Sequence, residues 1–129
     1  MTRWHRLTIR AIDHDPRSAD IAEAAQQLGM PLPRAPAVAD VLFVSGDLDA
    51  DDRRRLGGFL VDPLLQTGTW DAPLHDGPAF EVTLRPGVTD LAAQTLCRAA
   101  GQLGVVVNGA ATGRRVEFSP ETDRPLADT

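Results

Sequence analysis

HRLTIRAIDHDPRSADIAEAAQQLGM (residues 5–30) and FEVTLRPGVTDLAAQTLCRAAGQLGV (residues 80–105) read as the same passage written twice. Laid on each other at an offset of 75 residues, they match without a gap at several positions. Thr8 meets Thr83, Arg10 meets Arg85 and Asp15 meets Asp90. Ala24-Ala25 meets Ala99-Ala100, and Gln27-Leu28-Gly29 meets Gln102-Leu103-Gly104. At the same offset Ala35 falls on Ala110, Val41 on Val116 and Phe43 on Phe118. One constant offset predicts two equivalent half units about a pseudo-twofold axis, an arrangement that suits an assembly module better than an active site.

Each passage has the grammar of a strand followed by a helix. Leu7, Ile9 and Ala11 alternate with Arg6, Thr8 and Arg10, the period of a half-buried strand. Asp13-His14-Asp15-Pro16 reads as a turn, with Ser18 as the helix N-cap. Ile21, Ala24, Ala25 and Leu28 follow helical spacing, and Gly29 is placed to stop the helix. In the second passage Phe80 to Arg85 alternates as a strand. Thr89 or Asp90 caps a helix with Ala92, Leu96, Ala99 and Leu103 on one face, and Gly104 ends it.

Between the passages, Val38 to Ser45 reads as a second strand. Asp49 caps a further helix, with Leu48 as its staple and Leu56, Phe59 and Leu60 as its apolar face. That helix ends before Asp62-Pro63, because the residue preceding proline disfavours helical dihedrals. Leu64 and Leu65 are expected in the core, and a short strand is expected through Gln66 to Trp70. After the second passage, Val105–Val107 and Arg115–Phe118 read as short strands flanking a glycine-containing loop. The expected divisions are unit one at 1–70, a linker at 71–78, unit two at 79–119 and a polar, disordered tail at 120–129. Unit two has no counterpart of the helix that begins at Asp49. The expected fold is α/β in the α+β two-layer sense, built from duplicated ferredoxin-like half units whose helices pack on one face of a shared sheet.

Composition narrows the function. The chain has 129 residues, 43% of them hydrophobic, and a net charge of −5 with no lysine among its 13 basic residues. That balance argues against nucleic acid as a partner, since phosphate binding needs clustered cations. Cys97 is the single cysteine, so neither an internal disulfide nor a cysteine-based zinc site is available within the chain. No apolar run approaches the roughly 18–20 residues that span a bilayer. Met1 to Arg6 lacks the apolar core of a signal peptide, and a cytoplasmic location is expected.

No string amounts to a catalytic set. His5, His14 and His75 lie at strand ends or in loops, without ligand-like spacing. Asp47, Asp49, Asp51 and Asp52 lack the following Gly and Glu of a calcium loop. Arg53-Arg54-Arg55 reads as a solvated helix face. Asn108 to Arg115 (NGAATGRR) lacks the lysine of a phosphate loop and reads as a connecting loop. No catalytic residue, cofactor or metal is expected. Arg85, Pro86, Gly87 and Asp90, in the turn before the third helix, and Arg114 and Arg115, in the Asn108–Arg115 loop, are the candidate partner contacts.

The order of these strings resembles a known family. The run at 80–105 is similar to the opening of the PurS-type module of phosphoribosylformylglycinamidine synthase. That module has a strand, a Lys/Arg-Pro-Gly-Val-x-Asp string (here Arg85-Pro86-Gly87-Val88-Thr89-Asp90) and a helix ending in Leu-Gly. Unit one resembles the first half of the module's tandem form. Val41–Ser45 leads into Gly46-Asp47-Leu48, a helix from Asp49, and Asp62-Pro63-Leu64-Leu65-Gln66. The likeness runs from about Arg6 to Phe118, and departs from the family at Ala11-Ile12-Asp13-His14, where Pro-Gly-Val is expected. It implies a non-catalytic module that bridges the synthetase and glutaminase parts of an enzyme converting formylglycinamide ribonucleotide, glutamine and ATP to the amidine. It also implies synthetase and glutaminase as partners, and leaves a homo-oligomer open. A small-molecule-sensing regulatory domain of ferredoxin-like type is the alternative. A small acylphosphatase-like hydrolase, using Arg85 or Arg114 with Asn108, is a third reading.

Overall fold

A computed structural model describes residues 3–72, 77–83 and 90–118. Within them the chain forms β1 (Trp4–Ala11), α1 (Pro16–Gln27), β2 (Ala37–Ser45), α2 (Ala50–Leu60), β3 (Gln66–Trp70), β4 (Ala79–Thr83), α3 (Leu91–Gln102) and β5 (Gly109–Glu117). The strands make one antiparallel sheet in the order β3-β1-β2-β5-β4. This is the expected two-layer α+β architecture. Residues 73–76 of the expected linker and the tail from 120 lie outside the described residues.

Strand alternation sorts the sheet into two faces. His5, Leu7 and Ile9 of β1 share a face with Val38, Asp40, Leu42 and Val44 of β2 and with Ala110, Thr112, Arg114 and Val116 of β5. The helices lie on this face. Val44, Leu48, Leu56, Leu96, Ala100 and Val105 form one buried cluster, with Leu42, Trp70 and Ala110 packed against it. α2 is tied to β3 by the Trp70 indole N–H, which donates to the Arg53 carbonyl at 3.0 Å. α1 reaches the same face through Arg17, which bonds Asp40.

α1 and α3 are built alike. Each is capped by an aspartate side chain, Asp15 for α1 and Asp90 for α3. Each ends at a glycine with positive φ, Gly29 at 78° and Gly104 at 79°, a backbone state that costs glycine least. The next residue's N–H returns to the helix in both cases, Met30 to Ala25 and Val105 to Ala100, each at 2.9 Å, closing Schellman motifs. Their packing differs. Val105 is buried and joins the core, whereas Met30 is 64% exposed and α1 buries no residue at all.

Several expectations are corrected. Ser18 is not the N-cap: Asp15 caps α1 and Pro16 takes the first helical position, where its missing N–H costs nothing. Ser18 instead donates its hydroxyl to the Pro36 carbonyl. Leu64 and Leu65 are exposed, because the turn after Val61 points them outward while Asp62 binds the backbone N–H of Leu64. His5 stands at the start of β1, as expected, and is 1% exposed. Its Nε2 lies 3.0 Å from the Gly46 carbonyl, which can only accept, so Nε2 carries the proton. Val105–Val107 is not a strand, and Asn108–Arg115 is not a loop: Gly109–Glu117 is one continuous strand. Its Gly, Ala and Thr content hides the alternation, and pairing along both edges makes it a strand regardless.

The repeat offset is corrected as well. Helix bounds 16–27 and 91–102 differ by 75 residues, but the strands that follow begin at Ala37 and Gly109, 72 apart. The connection after α3 is three residues shorter than that after α1. The difference matters because an odd slip exchanges the faces of a strand. Val41 and Val116, matched at offset 75, stand on opposite faces of the sheet.

Core position predicts cost. Leu56 is 0% exposed while Phe59, one turn on, is 58% exposed. Leu56→Ala is expected to destabilise the protein by about 2–5 kcal/mol, and Phe59→Ala by less than about 1 kcal/mol. Urea unfolding followed by circular dichroism measures both.

Candidate functional site

The predicted contact residues scatter. Arg85, Pro86 and Gly87 lie outside the described residues. Asp90 is structural: it accepts the Ala93 N–H at 3.0 Å and both the N–H and hydroxyl of Thr112 at 2.9 Å, pinning the start of α3 to β5. Burial pushes the Asp90 carboxyl up, but these donors outweigh it and hold the group below its ordinary value. Arg114 and Arg115 do not form a pair. Neighbours on a strand point to opposite faces, so Arg114 faces the helices and Arg115 the other side. Asn108 precedes β5 and Arg114 lies six residues on, about 20 Å away in an extended strand, so the two do not assemble a hydrolase site.

Arg115 belongs to a ladder on the face away from the helices. It donates to Glu117 at 2.8 Å and to Glu81 at 2.9 Å. Arg10 binds Glu117 at 2.9–3.0 Å, and Arg6 lies 3.1 Å from Glu81. Three guanidiniums and two carboxylates thus link β1, β5 and β4 across β2. Glu117 is 6% exposed, so its charge is held by its partners rather than by water. Its hydrogen bonds to Glu117 and Glu81 raise the Arg115 pKa, with burial opposing them, so this member stays charged. Under the ladder, Ala39 and Val41 have no exposed surface. The buried Thr8 hydroxyl and Arg6 Nε have no hydrogen-bond partner among the described residues.

The helix face carries the other polar group. Asp40 and Arg114 are direct cross-strand partners on the two central strands, yet they form no ion pair. Arg17 takes both carboxylates within reach, Asp40 at 2.9 Å and Asp15 at 2.7 Å. Its hydrogen bond holds the Asp15 carboxyl below the usual range, with Arg114 adding a smaller pull. Around Asp40 and Arg114 the helix layer opens into a groove of about 620 Å³, lined by Leu42, Val82, Ala92 and Thr112.

Two arginines of α2 settle into structure. Arg55 donates to the Leu103 carbonyl at the end of α3, tying α2 to α3 at a terminus that favours cations. Arg53 lies 3.6 Å from Asp71. Of the solvated arginine face expected at 53–55, only Arg54 is largely exposed. Cys97 is half-buried on α3. Among the described residues no group of three or more His, Cys, Asp or Glu side chains stands ready to hold a metal ion, and no helix is long and apolar enough to cross a membrane.

Sequence reading missed the ladder and the Asp40–Arg114 pair. A signal existed for the first: Arg6, Thr8 and Arg10 form the polar side of β1, and Glu81, Arg115 and Glu117 sit at alternate positions of their strands. No family model, curated protein or solved structure matches the chain.

Two measurements check these assignments. Glu117→Ala removes an acceptor shared by Arg10 and Arg115; Arg115 keeps Glu81 and Arg10 is 40% exposed, so the loss is expected at about 1–3 kcal/mol in urea unfolding. Asp90→Asn keeps one oxygen to cap α3 but turns an amide NH2 toward the Thr112 N–H, and is expected to cost about 1–2 kcal/mol at pH 7. Because the folded carboxyl titrates below its unfolded value, its contribution is present above about pH 4 and fades as pH falls further. The variant should therefore lose less stability than the parent between pH 5 and pH 2.

Proposed function

We propose that this chain is a PurS-like tandem module, a non-catalytic bridge within phosphoribosylformylglycinamidine synthase in de novo purine synthesis. The observation that carries the reading is the repeated order strand–helix–strand around a central seam. β1–α1–β2 and β4–α3–β5 meet where β2 pairs antiparallel with β5 over nine residues. Twin helices with the same aspartate cap and glycine stop support a duplicated unit. The Arg-Pro-Gly-Val-x-Asp string closes on Asp90, the residue that caps α3, in keeping with the resemblance.

The two halves differ in a way that favours a partner. α2 and β3 complete the first half, and the second half has no such pair among the described residues. The outer edge of β4 is accordingly unpaired there. Phe80 and Val82 of β4 are 49% and 58% exposed, and Leu91 is 71% exposed. α1 leaves Leu28 at 74% exposure. These edges and apolar side chains, rather than the Asn108–Arg115 segment, are the natural contacts for synthetase and glutaminase.

Affinity purification of the intact tagged chain from its native cell tests the proposal. Synthetase and glutaminase are expected to co-purify. Phe80→Glu or Leu28→Glu should reduce their recovery at least tenfold while leaving the thermal unfolding midpoint within a few degrees. A monomer that brings down neither protein would overturn it.

A further inference from the structure

The centre of the helix-facing sheet surface is polar where a core is usually apolar. Along β2 and β5 the buried pair Val38–Val116 and the pair of buried Val44 with partly buried Ala110 stand on either side of Leu42–Thr112 and Asp40–Arg114. The helix layer leaves this middle uncovered, so the two strands form the floor of the 620 Å³ groove. That size lies within the usual range for small-molecule sites, roughly 300–1,000 Å³.

The groove's hydrogen-bonding capacity is unevenly used. Asp15 and Asp40 are both bonded by Arg17. Asp90 is consumed by Ala93 and Thr112. Arg114 is exposed, and among the described residues its guanidinium has neither a hydrogen bond nor an ion pair. A planar fork of five N–H donors thus stands in the groove without an acceptor, beside the apolar side chains of Leu42, Val82 and Ala92.

From this arrangement we infer that the groove binds a small carboxylate with an apolar body, its carboxylate held by Arg114 and its hydrocarbon laid against Leu42, Val82 and Ala92. Arginine and carboxylate are matched for two parallel hydrogen bonds. Asp15, Arg17, Asp40, Asp90 and Arg114 together carry one net negative charge, so the field at the groove does not draw an anion in, and recognition rests on the short-range donors of Arg114 and on apolar contact. The site borrows Val82 from the partner surface proposed above, but its anchor Arg114 lies on the central strand β5, and binding by the isolated chain is read apart from any recovery of partners.

Titration of the intact chain with 4-methylpentanoate, followed by amide NMR, tests it. Saturable shifts are expected at Leu42, Thr112 and Arg114. 4-Methylpentanamide has the same shape without the charge and is expected to bind at least tenfold more weakly. Arg114→Gln should abolish that preference, and Arg54→Gln, on α2, should keep it. Absence of saturable shifts at these amides would overturn the site. Equal binding of acid and amide by the unaltered chain would overturn the role of charge, independently of how any variant folds. An unchanged preference in Arg114→Gln would overturn the assignment to that residue.

Discussion

The pairing of β2 with β5 holds the molecule together. It joins residues 37–45 to 109–117 over their full length, and every other part of the sheet hangs from one of these two strands. β1 is paired to β2, β4 to β5, and β3 reaches the sheet only through β1. The helices follow the same dependence. Leu56 of α2 and Leu96 of α3 meet over Val44 and Ala110, neighbours across the seam. The hydrophobic stabilisation of both helices therefore requires the seam to be in register.

Register explains how charges are distributed. With the small residues Ala39, Ala111 and Gly113 on one face of the central strands, long side chains from three strands can lie over the sheet and meet. The Arg–Glu ladder is the outcome, and it shields Ala39 and Val41 without a second layer of helices. Lysine would serve poorly here, because Arg115 holds two carboxylates at once through different nitrogens, a geometry suited to a planar guanidinium. On the opposite face the same register brings Asp40 beside Arg114, and competition from Arg17 leaves that pair open.

Local signals made much of the fold legible. Alternation at 5–12 located β1 to within a residue, aspartate caps located α2 and α3, and Gly29 and Gly104 marked helix ends. The failures have physical causes. β5 is poor in branched apolar residues, and its strand character comes from neighbours on both edges rather than from its own composition. Reading it as a loop placed Arg114 and Arg115 together as one contact, when a strand must separate them. The offset of 75 held through α3 and failed beyond it, because a connection shortened by three residues is invisible to a match of small and apolar residues. The environments of Arg17, Asp40 and Glu117 depended on register across strands distant in sequence, which no local pattern carries.

The seam also has a consequence for synthesis. Its two strands begin 72 residues apart, so at about 5–20 residues per second β2 waits roughly 4 to 15 seconds for its partner to be made. During that interval β1, α1 and β2 present an open, largely apolar strand edge and a helix with little to pack on. Such edges invite pairing with other nascent chains. The charged side chains flanking the seam, and the acidic balance of the chain as a whole, favour solubility while β5 is still inside the ribosome. Non-local pairing of this kind folds slowly once complete, and the yield of native protein is set by the lifetime of that half-built sheet.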